Sequence, residues 1–160
     1  MPRYMTREGY QAIRDEIDHL WSVERPDVVD QVSRAAELGD RSENAEYIYG
    51  KRRLREIDSR MRYLQLKLDD VVVVDLAEQV ASKDIKFGAI VTVVDDDGDE
   101  KTWRLVDQDE SDPKRGRISV QSPIGRALLG KKVGDSIDVE LPKGRVSYEV
   151  LGIRYGAGAP

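Results

Sequence analysis

Cysteine is absent from the 160 residues and histidine occurs once, at His19. The first absence excludes a disulfide framework and a thiolate metal site, and the second excludes a histidine cluster, so few catalytic chemistries remain open. The longest apolar run is the four valines from Val71 to Val74, far short of the roughly 20 residues a helix needs to cross a bilayer. No basic stretch followed by an apolar run opens the chain, and a cytoplasmic protein with no membrane partner is expected. Aromatic residues are scarce, at 6%. An excess of positive charge is missing too: the formal net charge is −5, which argues against an autonomous nucleic-acid binder, because phosphate contacts dominate such affinity.

What is plentiful is charge of both signs. Asp, Glu, Lys and Arg make up 36% of the chain, above the roughly 25% usual for soluble domains, while 39% is hydrophobic. That balance fits long solvated helices and a divided core rather than one large core. The charges are unevenly placed. From Glu8 to Glu37 there are three basic and eight acidic residues, whereas from Lys51 to Lys67 seven basic residues face only Glu56 and Asp58.

The stretch from Thr6 to Leu38 is helical in pattern, with Thr6 as a candidate N-cap and Tyr10, Ile13, Ile17 and Leu20 forming a narrow seam. The seam resumes at Val28, Val32 and Ala35, eight residues past Leu20 where seven would keep register. Pro26 lies in the slip, so a kink rather than a stop is predicted. A second helix carries Tyr47, Gly50, Leu54, Ile57, Met61, Leu64 and Leu68, in unbroken steps of three and four, as a two-helix seam requires. Gly50 on that seam implies either a close helix approach near Val32 or a soft spot. The connection is short, so the arms must run antiparallel. Gly39 can end the first arm, and Asp40 can cap the second.

After Asp70 the pattern changes to short β-branched runs: Val71 to Val74, Ala89 to Val94, Thr102 to Val106, Arg117 to Val120, Ile137 to Leu141 and Val146 to Ile153. Turn chemistry separates them, as in Asp95-Asp96-Asp97-Gly98 and Pro142-Lys143-Gly144. One helical piece, Ser122 to Leu129, opens with a cap candidate before Pro123. The fold class is α+β, an N-terminal antiparallel coiled-coil hairpin followed by a small, mainly antiparallel sheet with a short helix. The domains are expected at 1–75, with the tip at 38–45, and at 76–160.

Asp40 and Glu43 stand three apart at the tip. One reading is a capping box, in which Asp40 accepts a backbone amide and Glu43 reaches back. The other is a pair of carboxylates offered to a metal. Alone they would hold Mg²⁺ weakly, since the ion demands six oxygens and gives up water reluctantly. Added to a partner's site that already holds one ion and a phosphodiester, they could recruit a second and orient the attacking water. Lys51, Arg52, Arg53 and Arg55, about two turns on, either hold a phosphate-rich segment or pair with the acidic first arm. His19 and Trp21 read as packing or surface residues. The carboxylates at 95–99 lack the spacing of a calcium loop and read as a solvated hairpin turn.

The stretch Leu38-Gly39-Asp40-Arg41-Ser42-Glu43-Asn44-Ala45-Glu46-Tyr47 resembles the tip signature of the bacterial transcript cleavage factors, the Gre family. Thr6 to Tyr10, Trp21 with Glu24-Arg25-Pro26, Lys51 to Asp58, Phe87-Gly88-Ala89 and Ser122 to Asp135 extend the resemblance over nearly the whole chain, nearer to its GreB than to its GreA branch. The resemblance implies a hairpin that enters the secondary channel of RNA polymerase and a C-terminal domain of FKBP-like fold that docks at the rim through the loop at Ser122 and Pro123. Gln121 stands where relatives of this kind often carry an acid. It further implies that Asp40 and Glu43 help hold a Mg²⁺ shared with the polymerase, none being bound stably by the isolated protein, while the polymerase's own site cuts backtracked RNA. Lys51, Arg52, Arg53 and Arg55 would steady the RNA 3′ segment. The chain is then an accessory factor and a monomer, not an enzyme. A channel-binding regulator that does not promote cleavage is the alternative, and an autonomous nuclease conflicts with the sparse ligand set.

Overall fold

The computed structural model describes residues 2–38, 44–158 and 160. The chain divides into two compact units: Tyr10–Val71 is one, and Met1–Gly9 with Val72–Pro160 is the other. Among the described residues no helix is long and apolar enough to cross a membrane.

The helical unit is built from α1 (Arg7–His19), a π-helical stretch (Leu20–Glu24), α2 (Arg25–Glu37) and α3 (Ala45–Leu68). Thr6 caps α1 as expected, its Oγ1 accepting the Gly9 N–H at 3.0 Å. The eight-residue gap in the seam is met by the π stretch, in which the Arg25 N–H donates to the Leu20 carbonyl five residues back. A wider turn absorbs one extra residue and returns the apolar stripe to register. Pro26 then falls in the first turn of α2, where its missing N–H matters least.

Contacts between the arms show that they run antiparallel. Glu16 meets Arg60, Glu24 meets Arg53, Val32 meets Gly50 and Ala35 meets Asn44, so each step forward on α3 is a step back on the first arm. Ile13, Leu20 and Ala35 on one side and Ile57, Met61 and Leu64 on the other are buried along the seam. At about 1.5 Å per residue, the 24 residues of α3 span about 36 Å.

Gly50 is a close approach, because an added Cβ would stand 2.5 Å from Val32 Cγ2. Alanine would gain about 1 kcal/mol of helix propensity but must displace a packed valine, and overpacking of this kind costs about 1–3 kcal/mol. Gly50→Ala is expected to lower stability in urea unfolding, and Val32→Ala in the same chain to recover part of the loss. Strict additivity of the two substitutions would show that the contact does not matter.

The second unit holds a two-stranded sheet, β1 (Arg3–Thr6) with β2 (Val71–Val74), and a five-stranded sheet in the order β5-β4-β3-β7-β6. Those strands are β3 (Ile90–Asp95), β4 (Glu100–Val106), β5 (Arg117–Ser119), β6 (Ser136–Leu141) and β7 (Gly144–Arg154). Among the described pairings of this five-stranded sheet β4 with β5 is parallel and the other three are antiparallel, and α4 (Pro123–Leu128) is the short helix. Alternate residues Ala89, Val91 and Val93, with Ile137, Val139, Tyr148 and Val150, share the core with Leu105 and Leu128. The acidic turn at 95–99 is a hairpin connection in which Asp95 Oδ1 accepts the amides of Asp97 and Asp99, each at 2.9 Å.

At the β1–α1 junction the Glu110 carboxylate accepts from both the amide and the hydroxyl of Thr6. Burial raises this carboxyl above the ordinary carboxylate range, against the lowering effect of the Thr6 bonds. The folded state therefore binds the proton more tightly than the unfolded chain. This contribution is full below the unfolded pKa, about 4.3, and is lost as pH rises through the raised folded value. The stability difference between the wild type and Glu110→Gln, from urea midpoints between pH 4 and pH 7, should thus fall as pH rises. A flat difference would contradict this.

Candidate functional site

The distal end of the helical unit is closed by Asn44. Its Oδ1 accepts the Tyr47 N–H at 3.2 Å as the N-cap of α3, and its Nδ2 donates to the Ala35 carbonyl at 2.6 Å. The Leu38 N–H reaches the same carbonyl at 3.2 Å. The expectation that Asp40 caps the second arm is corrected: the cap is Asn44, whose carboxamide supplies both an acceptor for α3 and a donor for α2, where a carboxylate could only accept. Asp40 and Glu43 themselves lie outside the described residues, between Leu38 and Asn44.

Beyond the cap, the structure sorts the basic cluster. Arg53 is tied to Glu24 at 2.8 Å across the arms and to Glu56 at 3.2 Å, and these hydrogen bonds raise its pKa further. Lys51, Arg52 and Arg55 are exposed and have no ion pair among the described residues. Of the two readings of the cluster, pairing with the acidic first arm is seen for Arg53. Arg53 is placed where it joins the arms, and the other three point charge at solvent. At mid-arm, Trp21 is exposed with the Arg25 guanidinium 5.7 Å from its ring, and His19 ends α1, so neither joins this cluster.

In the sheet unit, Ser122 and Pro123 shape the start of α4. The Ser122 hydroxyl donates to the Ser119 carbonyl at 2.6 Å and accepts the Gly125 N–H at 3.0 Å, so its hydrogen bonds are spent on the turn. What this loop offers outward is the exposed Gln121 and Pro123. Beside it lies a groove of about 530 Å³, lined mainly by apolar side chains that include Tyr4, Phe87, Val120 and Leu129, with Gln121 at its wall. The Tyr4 and Phe87 rings lie 5.8 Å apart along it.

Sequence reading missed Arg104, which is 1% exposed. Its guanidinium donates to the carbonyls of Gly88 at 2.9 Å, Pro160 at 2.6 Å, Gly156 at 2.8 Å and Gly158 at 3.1 Å. Burial, then the neighbouring Arg117 and Arg154, lowers its pKa. It is a clasp for the final residues described, and nothing in its β-strand context marks it as one.

Comparison with known proteins accounts for both units. The family pattern described as transcription elongation factor, N-terminal, matches residues 3–73, and that described as transcription elongation factor, GreA/GreB, C-term, matches residues 79–155. Among curated relatives, transcription elongation factor GreB of Yersinia pestis is 49% identical over 152 residues, covering 95% of this chain and 88% of its own. Transcription elongation factor GreB of Pseudomonas putida is 46% identical over 154 residues, covering 96% and 94%. Among solved structures, the GreA factor homolog 1 of Thermus thermophilus is 23% identical with a TM-score of 0.43, covering 96% of this chain and 99% of that one, a likeness too loose to bear weight. With the two family patterns matched over residues 3–73 and 79–155 and near-half identity to the GreB relatives, this chain belongs to the GreA/GreB family of transcription elongation factors.

Proposed function

We propose that the chain binds RNA polymerase, enters its secondary channel with the tip of the helical unit, and stimulates the polymerase's intrinsic cleavage of backtracked RNA 3′ ends. The observation that carries this reading is that Asn44 holds the cap of α3, which leaves the carboxylates of Asp40 and Glu43 without that structural duty. Two hard oxygen donors suit Mg²⁺, and two are too few to hold it without further ligands from a partner. When bound there, the shared ion supplies Lewis acidity and an activated water. The chain's own part is to deliver negative charge to that site, and to hold the RNA 3′ segment with Lys51, Arg52 and Arg55, with Arg53 bracing the arms behind them. The loop at Gln121, Ser122 and Pro123, with the apolar groove beside it, docks on the polymerase rim. The protein is an accessory factor, monomeric and cytoplasmic, because the helical seam is already satisfied within one chain and its partner is the transcription machinery.

The test is RNA cleavage in stalled, backtracked elongation complexes with Mg²⁺, with and without the protein, alongside the protein alone. Acceleration only in the presence of polymerase is the expected result. Binding without acceleration would make the chain a non-cleaving channel regulator, and cleavage by the protein alone would make it a nuclease.

A further inference from the structure

On α3 the solvent side carries a second stripe opposite the seam. Ile48, Arg52, Arg55, Ser59, Arg62 and Leu66 recur in steps of four and three, and all are exposed. Beside the start of this stripe stands Tyr49, 67% exposed. A single exposed aromatic is ordinary on a protein surface. Its company is not. Tyr10, Trp21 and Tyr63 each have an arginine within 6 Å of the ring centre, at 5.9, 5.7 and 5.5 Å. Tyr49 has no hydrogen bond, ring contact or cation over its face among the described residues.

The cations closest in helical position divide in a way that favours a ligand. Arg53, four residues on, is spent on Glu24 and Glu56, whereas Arg52, three residues on, is unpaired among the described residues, as are Lys51 and Arg55. An open ring beside uncompensated positive charge is the combination that holds single-stranded nucleic acid: cations follow the backbone while the ring stacks on a base. Tyr49 lies four residues into α3, about 6 Å along the axis from its first residue.

We propose that Tyr49 is a stacking platform for a nucleobase of the RNA 3′ segment, with Arg52 and then Arg55, each three residues further along α3, on the flanking phosphates. The proposal rests on the reading of the chain as a factor acting on backtracked RNA. Because every base has a π face, the contact tolerates any sequence, as a general rescue factor requires. Tyr49 is a positioning residue. It fixes where the extruded strand lies and does not touch the reacting atoms.

The experiment places 2-aminopurine in the extruded RNA of a backtracked elongation complex and follows its fluorescence as the full-length protein is added. Stacking quenches the probe. Quenching is expected with the unmodified protein, Tyr49→Phe and Tyr49→Trp, and is lost with Tyr49→Ala and Tyr49→Leu. The half-saturating concentration for cleavage should rise roughly tenfold in the two non-aromatic variants. An abasic nucleotide at the stacked position should erase the difference between the unmodified protein and Tyr49→Ala. Undiminished quenching by Tyr49→Ala overturns the proposal. So does equal function of Tyr49→Leu, which would mean an apolar contact with the polymerase surface instead. If cleavage is stimulated but no variant alters quenching, the stack fails and the functional reading stands. If the unmodified protein neither binds nor quenches, that reading fails and takes the stack with it.

Discussion

Asp40→Asn together with Glu43→Gln is expected to lower stimulated RNA cleavage by about 100-fold or more while leaving polymerase binding intact. Removing one preorganised charge-stabilising group from an active site commonly costs about 100- to 1000-fold, and two anionic oxygen ligands are removed here. The ordinary objection to such a test is that carboxylates at a helix start are caps, so their loss would unfold the tip. Asn44 answers it, since its side chain both caps α3 and bonds to the Ala35 carbonyl. Asp40→Ala should therefore not cost the roughly 1 kcal/mol of a lost α3 cap in urea unfolding. If the carboxylates recruit the metal, higher Mg²⁺ should restore part of the lost rate by mass action. Variants that cleave at the wild-type rate would show that Asp40 and Glu43 do not act on the metal.

The second large effect falls on the sheet unit. Gly125 lies in α4, and a Cβ there would stand 2.0 Å from the backbone oxygen of Ser119. That oxygen cannot retreat cheaply, because Ser119 is the last residue of β5 and its carbonyl already accepts from the Ser122 amide at 3.1 Å and hydroxyl at 2.6 Å. The next residue is fixed as well, with the Val120 N–H on the Val106 carbonyl at 2.8 Å. Gly125→Ala should cost about 3 kcal/mol in urea unfolding, at the upper end of overpacking effects. It should also displace the Ser122–Pro123 turn and weaken polymerase binding. Gly152 is the control, since a Cβ there meets no heavy atom within 4 Å. Equal behaviour of the two variants would show that the Ser119 to Gly125 turn has more freedom than its hydrogen bonds imply.

The features legible in the sequence share a physical property, which is that each is a local periodicity or a local cap. The seam on α3 is visible because two packed helices demand apolar residues every 3.5 positions, and the chain supplies them from Tyr47 to Leu68. The strands from β3 to β7 show as β-branched runs between turns, with Ala89, Val91 and Val93 alternating inward. Thr6 and Ser122 cap the helices that follow them, as their side chains and positions predict. Strand β1 was not legible: Arg3–Thr6 is four residues without alternation and is a strand only because β2 is there to pair with it. The gap of eight residues after Leu20 was visible, but not that a π-helical turn would absorb it.

The candidate site divides the same way. Sequence alone determined the antiparallel hairpin, the sheet that follows it, the carboxylate pair at 40 and 43 and the cluster of positive charge beyond it, since each depends on residue type at short spacing. Only the tertiary structure decided that Asn44 is the cap, that Arg53 is consumed by Glu24 while Arg52 and Arg55 are left to solvent, and that Arg104 is buried under four carbonyls. These outcomes depend on which residue of one arm or strand comes opposite which residue of another. That register is set by packing between segments distant in the chain, and a short window of sequence does not contain it.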